Sequence, residues 1–150
     1  MKNIFEPSTT SQLLNRMDQL SATSQPLWGK MSVSQMMAHC NVTYEMVYTD
    51  KHAKPKGFLK FFLKNFVKKS VVGNKPYPKN GRTAPAFLIT TDKDFSIEKL
   101  RLTDHLKKTE ELGTSYFEGR ESHGFGKLKS AEWSTLFYKH LDHHLNQFGV

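Results

Sequence analysis

The residues best placed to do chemistry in this chain are histidines. In the stretch Trp133 to Phe148, His140 and His144 stand four apart, so in a helix they project from one face, a turn from each other. At about 100° per residue, Trp133, Phe137, His140, His144 and Gln147 share one sector, and its two aromatics turn that sector inward, with His143 toward its edge. In the stretch after Ser32, Met36, His39, Val42 and Met46 share another sector, so His39 points inward as well. A neutral imidazole costs less to bury than a carboxylate, and its nitrogen is a good ligand for zinc, nickel, copper or iron. Three inward histidines with no cysteine ligand nearby leave a fourth position for water or substrate, the pattern of a catalytic rather than a closed structural zinc site. One inward histidine alone is more often a core residue with a satisfied hydrogen bond. A third beside a His-x-x-x-His pair strains that reading, because each ring needs its own buried partner.

Other residues surround these three. Gln35, one turn before His39, reads better as a helix-capping partner than as a substrate contact. Thr43, one turn after His39, can hydrogen-bond near the site, but bonding back to its own helix is the commoner use of such a hydroxyl. Gln147 either orients water or a ligand, or bonds to backbone. His123, in the Gly-rich loop Glu121 to Gly126, reads as a surface turn, though a loop tip can also reach over a site. His123 and Gln147 are the further candidates for a catalytic role, and no other catalytic residue is assigned. Cys40 reads as a small core residue, and Tyr138 and Asp142 face elsewhere on the helical wheel. No Ser-His-Asp order, phosphate-cradling loop or nucleotide fingerprint is present.

The elements that must position these residues are helical. A first helix follows Pro7, carries Leu13, Leu14, Met17 and Leu20, starts on a cap from Ser8 or a neighbouring hydroxyl, and ends near Ser21 to Ser24. A second starts at the Ser32-x-x-Gln35 capping box and runs to about Asp50. A third follows Asp94, carries Ile97, Leu100 and Leu106, and ends at Gly113; a fourth starts after Ser130 and runs through Asn146. Between the second and third, Gly57 to Gly73 is Phe-rich and helical in period, Asn74 to Pro85 is a loop, and Phe87 to Thr90 is a short extended stretch. The expected fold is all-α: an antiparallel four-helix bundle with a long basic crossover that carries an extra short helix, in one domain over residues 1–150.

Charge is unevenly placed. The chain of 150 residues has 22 Lys+Arg against 14 Asp+Glu, a net charge of +8. Lys51 to Thr91 holds ten of the basic residues and no acid, which leaves the remainder at −2. Lys60, Lys64 and Lys68 line one face of the Phe-rich segment, with Leu59, Phe62, Leu63 and Phe66 turned away from it. The simplest reading packs the Phe face on the bundle and solvates the lysines. A basic amphipathic helix can also lie on an acidic membrane, meet an acidic partner, or steer an anionic substrate toward a nearby site. Nucleic acid is not expected, for want of a basic–aromatic reading motif. One cysteine excludes a disulfide framework and a Cys-rich zinc module. No apolar leader and no membrane-spanning run is seen, so a cytoplasmic location is expected.

Two stretches carry a family resemblance. Trp28-Gly29-Lys30-Met31-Ser32-Val33-Ser34-Gln35-Met36-Met37-Ala38-His39 resembles the W-x-x-M-[ST]-x-x-Q-M-x-x-H start of the second helix in DinB-like proteins, a superfamily of four-helix-bundle metal-dependent enzymes. His140-Leu141-Asp142-His143-His144-Leu145-Asn146-Gln147 is similar to its H-x-x-x-H-x-x-Q ending, and His123 through Glu132-Trp133 resembles one bacterial branch. The resemblance implies that His39, His140 and His144 hold a divalent metal, zinc or nickel. It also implies metal-assisted thiol transfer or hydrolysis on a small-molecule substrate, with a low-molecular-weight thiol as cosubstrate, and a homodimer. The metal would lower the pKa of a thiol or water at neutral pH. The competing expectation is a non-catalytic helical module that uses the basic 51–91 segment to bind an acidic partner or membrane surface.

Overall fold

Helix signals in the sequence become helix starts in the structure, a computed structural model that describes residues 1–150. Helix α1 spans Pro7–Asp18, α2 Val33–Tyr48, α3 Gly57–Phe62, α4 Lys68–Val72, α5 Phe95–Phe117 and α6 Ser130–Gln147. A π-turn, Leu63–Val67, joins α3 to α4, and a 3-10 turn covers Pro85–Phe87. The only sheet is a small antiparallel hairpin, β1 Glu121–Ser122 against β2 Gly126–Lys127, in register Glu121 to Lys127 and Ser122 to Gly126.

Each start has a physical cause. Ser32 accepts from the Gln35 backbone N–H at 3.2 Å while the Gln35 amide oxygen accepts from the Ser32 N–H at 3.1 Å, which satisfies two otherwise orphaned donors of α2. The Asp94 carboxylate accepts from the Ile97 N–H at 2.9 Å and opens α5. Glu132 accepts from the Lys129 N–H at 2.9 Å at the head of α6, and Glu118 takes both the N–H and the hydroxyl of Ser130. Helix α1 departs from expectation. No side chain caps it: Pro7 sits in the first turn with its fixed φ, Ser8 is already helical, and the helix stops at Asp18.

α5 also runs further than predicted. Gly113 has φ +66° and breaks the helical geometry, as a glycine can at no Cβ cost, but one further turn follows. That turn delivers Phe117, fully buried against the rings of Phe5, Trp133 and Phe137 with centroids at 5.1, 5.6 and 5.6 Å. Burying that ring outweighs the break. Of the three apolar residues expected along this helix only Leu106 is buried; Ile97 and Leu100 face solvent. Their inward places go to Glu98, Leu102 and Thr109. Glu98 accepts from the Asn41 amide at 2.9 Å and from Arg101 at 2.6 Å, so the buried carboxylate is paired.

α2 packs on α5 and α6, α5 on α6, and α1 on α5 and α6. Leu13 and Met17 of α1, Met36 and Tyr44 of α2, Leu106 of α5 and Phe137 of α6 meet in one core. The crossover lies outside it. Phe87 to Thr90, expected as extended, forms no strand: Phe87 closes the 3-10 turn and Leu88 to Thr90 follow it irregularly. The Phe-rich helical segment only partly follows expectation: Leu63 is half-buried beside Gly124 of the hairpin and Lys64 is exposed, but the rings are turned out. Lys60 and Lys68 turn toward the body and pair with Glu121 at 3.4 Å and Glu132 at 2.9 Å, while Phe58, Phe61, Phe62 and Phe66 are 43–81% exposed. Acids on the hairpin and on α6 select the lysine face, which periodicity alone does not reveal. Buried Lys139 of α6 then fastens the crossover, its ammonium donating to the carbonyls of Ser70 at 2.8 Å, Lys75 at 3.2 Å and Gly73.

Candidate metal centre

α2 contributes one ring and α6 two. The capping box sets the rotation of α2, which places His39 about two turns past Ser32 and buried. His140 and His144 sit one turn apart on α6, His140 half-buried and His144 buried. One nitrogen from each of the three rings lies within 4.8 Å of the others, close enough for the set to hold a metal ion. The Nε2 atoms of His39 and His140 are 2.9 Å apart. His39 and His144 have ring centroids 4.5 Å apart, and His140 and His144 4.9 Å.

Each ring's other nitrogen is held. His39 Nδ1 faces the Phe87 carbonyl at 2.9 Å; a carbonyl only accepts, so Nδ1 carries the proton and Nε2 its lone pair. His144 Nδ1 faces the Gln147 side-chain oxygen at 2.7 Å, and the Gln147 amide N–H₂ donates to the Trp28 carbonyl at 2.7 Å. That second bond fixes the amide, so His144 also donates from Nδ1 and frees Nε2. His140 Nδ1 faces the Thr43 hydroxyl at 2.9 Å, which can accept or donate. With the hydroxyl donating, His140 Nε2–H donates to His39 Nε2. With it accepting, all three Nε2 lone pairs are available together.

Burial keeps the rings neutral. It lowers the pKa of His39 and drives that of His140 well below the usual imidazole range, with His144, His39 and His143 adding repulsion. His144 falls to about 3, through burial first and His39 second. Neutral imidazoles with free Nε2 atoms and oxygen partners on Nδ1 are the donor chemistry that a divalent transition metal needs, so these residues fit such an ion.

The structure sorts the remaining candidates. Thr43 does not bond back to its own helix; it serves His140. Gln147 contacts both backbone and a histidine of the set. Gln35 is spent in the capping box. His123 stands apart, its Nε2 facing the Ala53 carbonyl at 3.0 Å. Cys40 is buried, with its thiol pushed up by burial, and Asp142 pairs with Arg16 at 2.6 Å. His143 is half-buried, edge-on to Trp28 and Tyr77 at 5.9 and 5.6 Å. Two contributors escaped sequence reasoning. Phe87 holds His39 from a crossover with no recognisable signal. Gly29 (φ +85°) lies so close to the Gln147 amide that a Cβ there would sit 2.4 Å from its nitrogen. Its place in the Trp28-Gly29 stretch was visible, but its reason was not.

Residues 7–149 match the model of a family described as "Protein of unknown function (DUF1569)". The chain belongs to the DUF1569 family. No curated protein and no solved structure matches it. In this DUF1569 chain the matched stretch contains the three histidines and all their partners: Gly29, Thr43, Phe87 and Gln147. No helix is long and apolar enough to cross a membrane.

Proposed function

We propose that this DUF1569 protein is a metal-dependent enzyme built as a DinB-like antiparallel four-helix bundle in one domain. His39, His140 and His144 are its ligands to a divalent ion, zinc or nickel. The observation that carries this reading is the convergence of three neutral rings whose Nδ1 atoms are each occupied by a separate oxygen, from Phe87, Thr43 and Gln147. A neutral core histidine has one donor and one acceptor nitrogen and ordinarily finds them separate partners. Three rings that are satisfied on one nitrogen and crowd together on the other are arranged for a shared cation.

When bound, such an ion supplies Lewis acidity and lowers the pKa of a thiol or water brought to it. The chain's own residues do the rest. Phe87, whose ring is 5.4 Å from His39 and 5.8 Å from His140, shields the ligands from bulk water. Trp28 and Tyr77 flank His143, and the exposed Lys79 lies over the Trp28 ring at 4.3 Å, so a cation stands beside His143 to attract an anionic small molecule. By family resemblance the reaction class is thiol-dependent transfer or hydrolysis.

Metal analysis of untagged protein, purified without added metal, tests the reading; about one equivalent of a divalent ion, or uptake of zinc or nickel on addition, is expected. Absence of both overturns it. His144→Ala abolishes binding and His143→Ala does not; equal loss in the two means the ligand set is wrong. With metal bound, lack of turnover of every thiol cosubstrate and ester would leave a metal protein without this chemistry.

A further inference from the structure

The crossover exposes what helical surface segments ordinarily hide. Phe58, Phe61, Phe62 and Phe66 are 81, 57, 43 and 66% exposed, with Leu59 beside them at 55%. Their rings form one cluster: Phe58–Phe61 and Phe61–Phe66 centroids are 6.5 Å apart and Phe62–Phe66 5.4 Å. About 500 Å² of aromatic surface is left in water, at the upper end of what a monomer carries in its largest patch. The segment keeps this face outward although Lys60 and Lys68 reach the body in its place.

The surrounding charge selects the occupant. Between Lys51 and Thr91 there are ten basic residues and no acid. Three of them are paired, Lys51 with Glu45, Lys60 with Glu121 and Lys68 with Glu132. Lys54, Lys56, Lys64, Lys69, Lys75, Lys79 and Arg82 are exposed and have no carboxylate partner. Lys56 precedes α3, and Lys69 follows Phe62 and Phe66 by seven and three residues, so cations bracket the aromatic cluster at both ends. A second copy of this chain would set one acid-free basic segment against another, which repels. An anionic lipid surface satisfies both features at once: rings enter the acyl boundary while lysines stay at headgroup level.

We propose that the α3–π-turn–α4 segment is a peripheral membrane-docking element for anionic lipid bilayers, inserting Phe58, Phe61, Phe62 and Phe66 between headgroups held by the unpaired lysines. It does not depend on the metal-centre reading and is independent of whether His144→Ala binds metal.

The test is co-sedimentation of the full chain with phosphatidylserine-containing vesicles against pure phosphatidylcholine vesicles. Binding to the first, weak binding to the second, and release by high salt are expected. Phe58→Ser with Phe61→Ser weakens binding at least about tenfold, and Lys54→Glu with Lys56→Glu and Lys69→Glu does the same. Because every one of these side chains is exposed, both variants keep the wild-type circular dichroism and unfolding temperature. No binding to anionic vesicles overturns the proposal, as does wild-type binding by the Phe variant. It is likewise overturned if light scattering shows an oligomer that the Phe variant dissolves, or if the segment binds single-stranded nucleic acid in preference to vesicles.

Discussion

Thr43→Val removes one hydroxyl and keeps the shape of the side chain, which isolates the bond to His140 Nδ1 at 2.9 Å. Without metal, valine leaves the buried Nδ1 of His140 without a partner, and the apo protein loses about 1–3 kcal/mol. With metal, the ring loses the acceptor that holds its Nδ1–H and keeps Nε2 free. Removing such an outer partner typically costs 10–100-fold in metal affinity, or about 1.4–2.7 kcal/mol. Competition against a chromophoric chelator, with zinc, measures the second quantity, and urea unfolding of metal-stripped protein measures the first. Thr43→Ser restores the hydroxyl and recovers most of both. In a double-mutant cycle with His140→Ala, the Thr43→Val effect on apo stability vanishes once the ring is gone. The reasoning fails if Thr43→Val binds zinc like wild type, or if serine rescues nothing.

Three further outcomes follow from the geometry. Gly29→Ala forces a Cβ to within 2.4 Å of the Gln147 amide at φ +85°, so it costs about 1–3 kcal/mol in thermal unfolding and weakens zinc binding by displacing the partner of His144; wild-type affinity would show that Gln147 is not positioning that ring. His105, held at about 4 by burial first and Arg101 second, donates Nδ1–H to Asn41 at 2.9 Å. Above pH 6.5 the ring is neutral folded and unfolded; as pH falls from 6.5 to 4 only the unfolded chain gains the proton, so stability drops through that window, and His105→Gln shows a shallower drop in urea midpoint. Lys139→Met leaves the carbonyls of Ser70, Gly73 and Lys75 without their donor, so amide exchange around 69–77 rises at least about tenfold while α2 and α5 stay protected.

What could be read in advance had a local cause. The capping box and the His140/His144 face follow from spacing within one helix, and both appear where spacing puts them. The inward turn of His39 was legible for the same reason, but its 2.9 Å approach to His140 depends on how α2 and α6 pack, which periodicity does not encode. Thr43 was misjudged because its local alternative, the carbonyl a turn earlier, is visible in sequence and a ring on another helix is not. The Phe face was misjudged because Glu121 and Glu132, distant in sequence, claim the lysines. Ile97 and Leu100 point outward because a paired Glu98 holds the inner position, which hydropathy ranks last for burial.

The carbonyl of Phe87 has a consequence for control. It fixes the proton of His39, yet it belongs to the crossover, where the Pro85–Phe87 turn rests on α2. If His39 is a metal ligand as proposed, its hold on the ion and the placement of the Pro85–Phe87 turn are linked, and linkage runs both ways by the same factor. Anything that lifts that turn from α2 loosens His39, and an ion held by His39 would resist that lifting to an equal degree. On the proposed function, a shift of the Phe87 carbonyl alone would change metal affinity with no ligand touched.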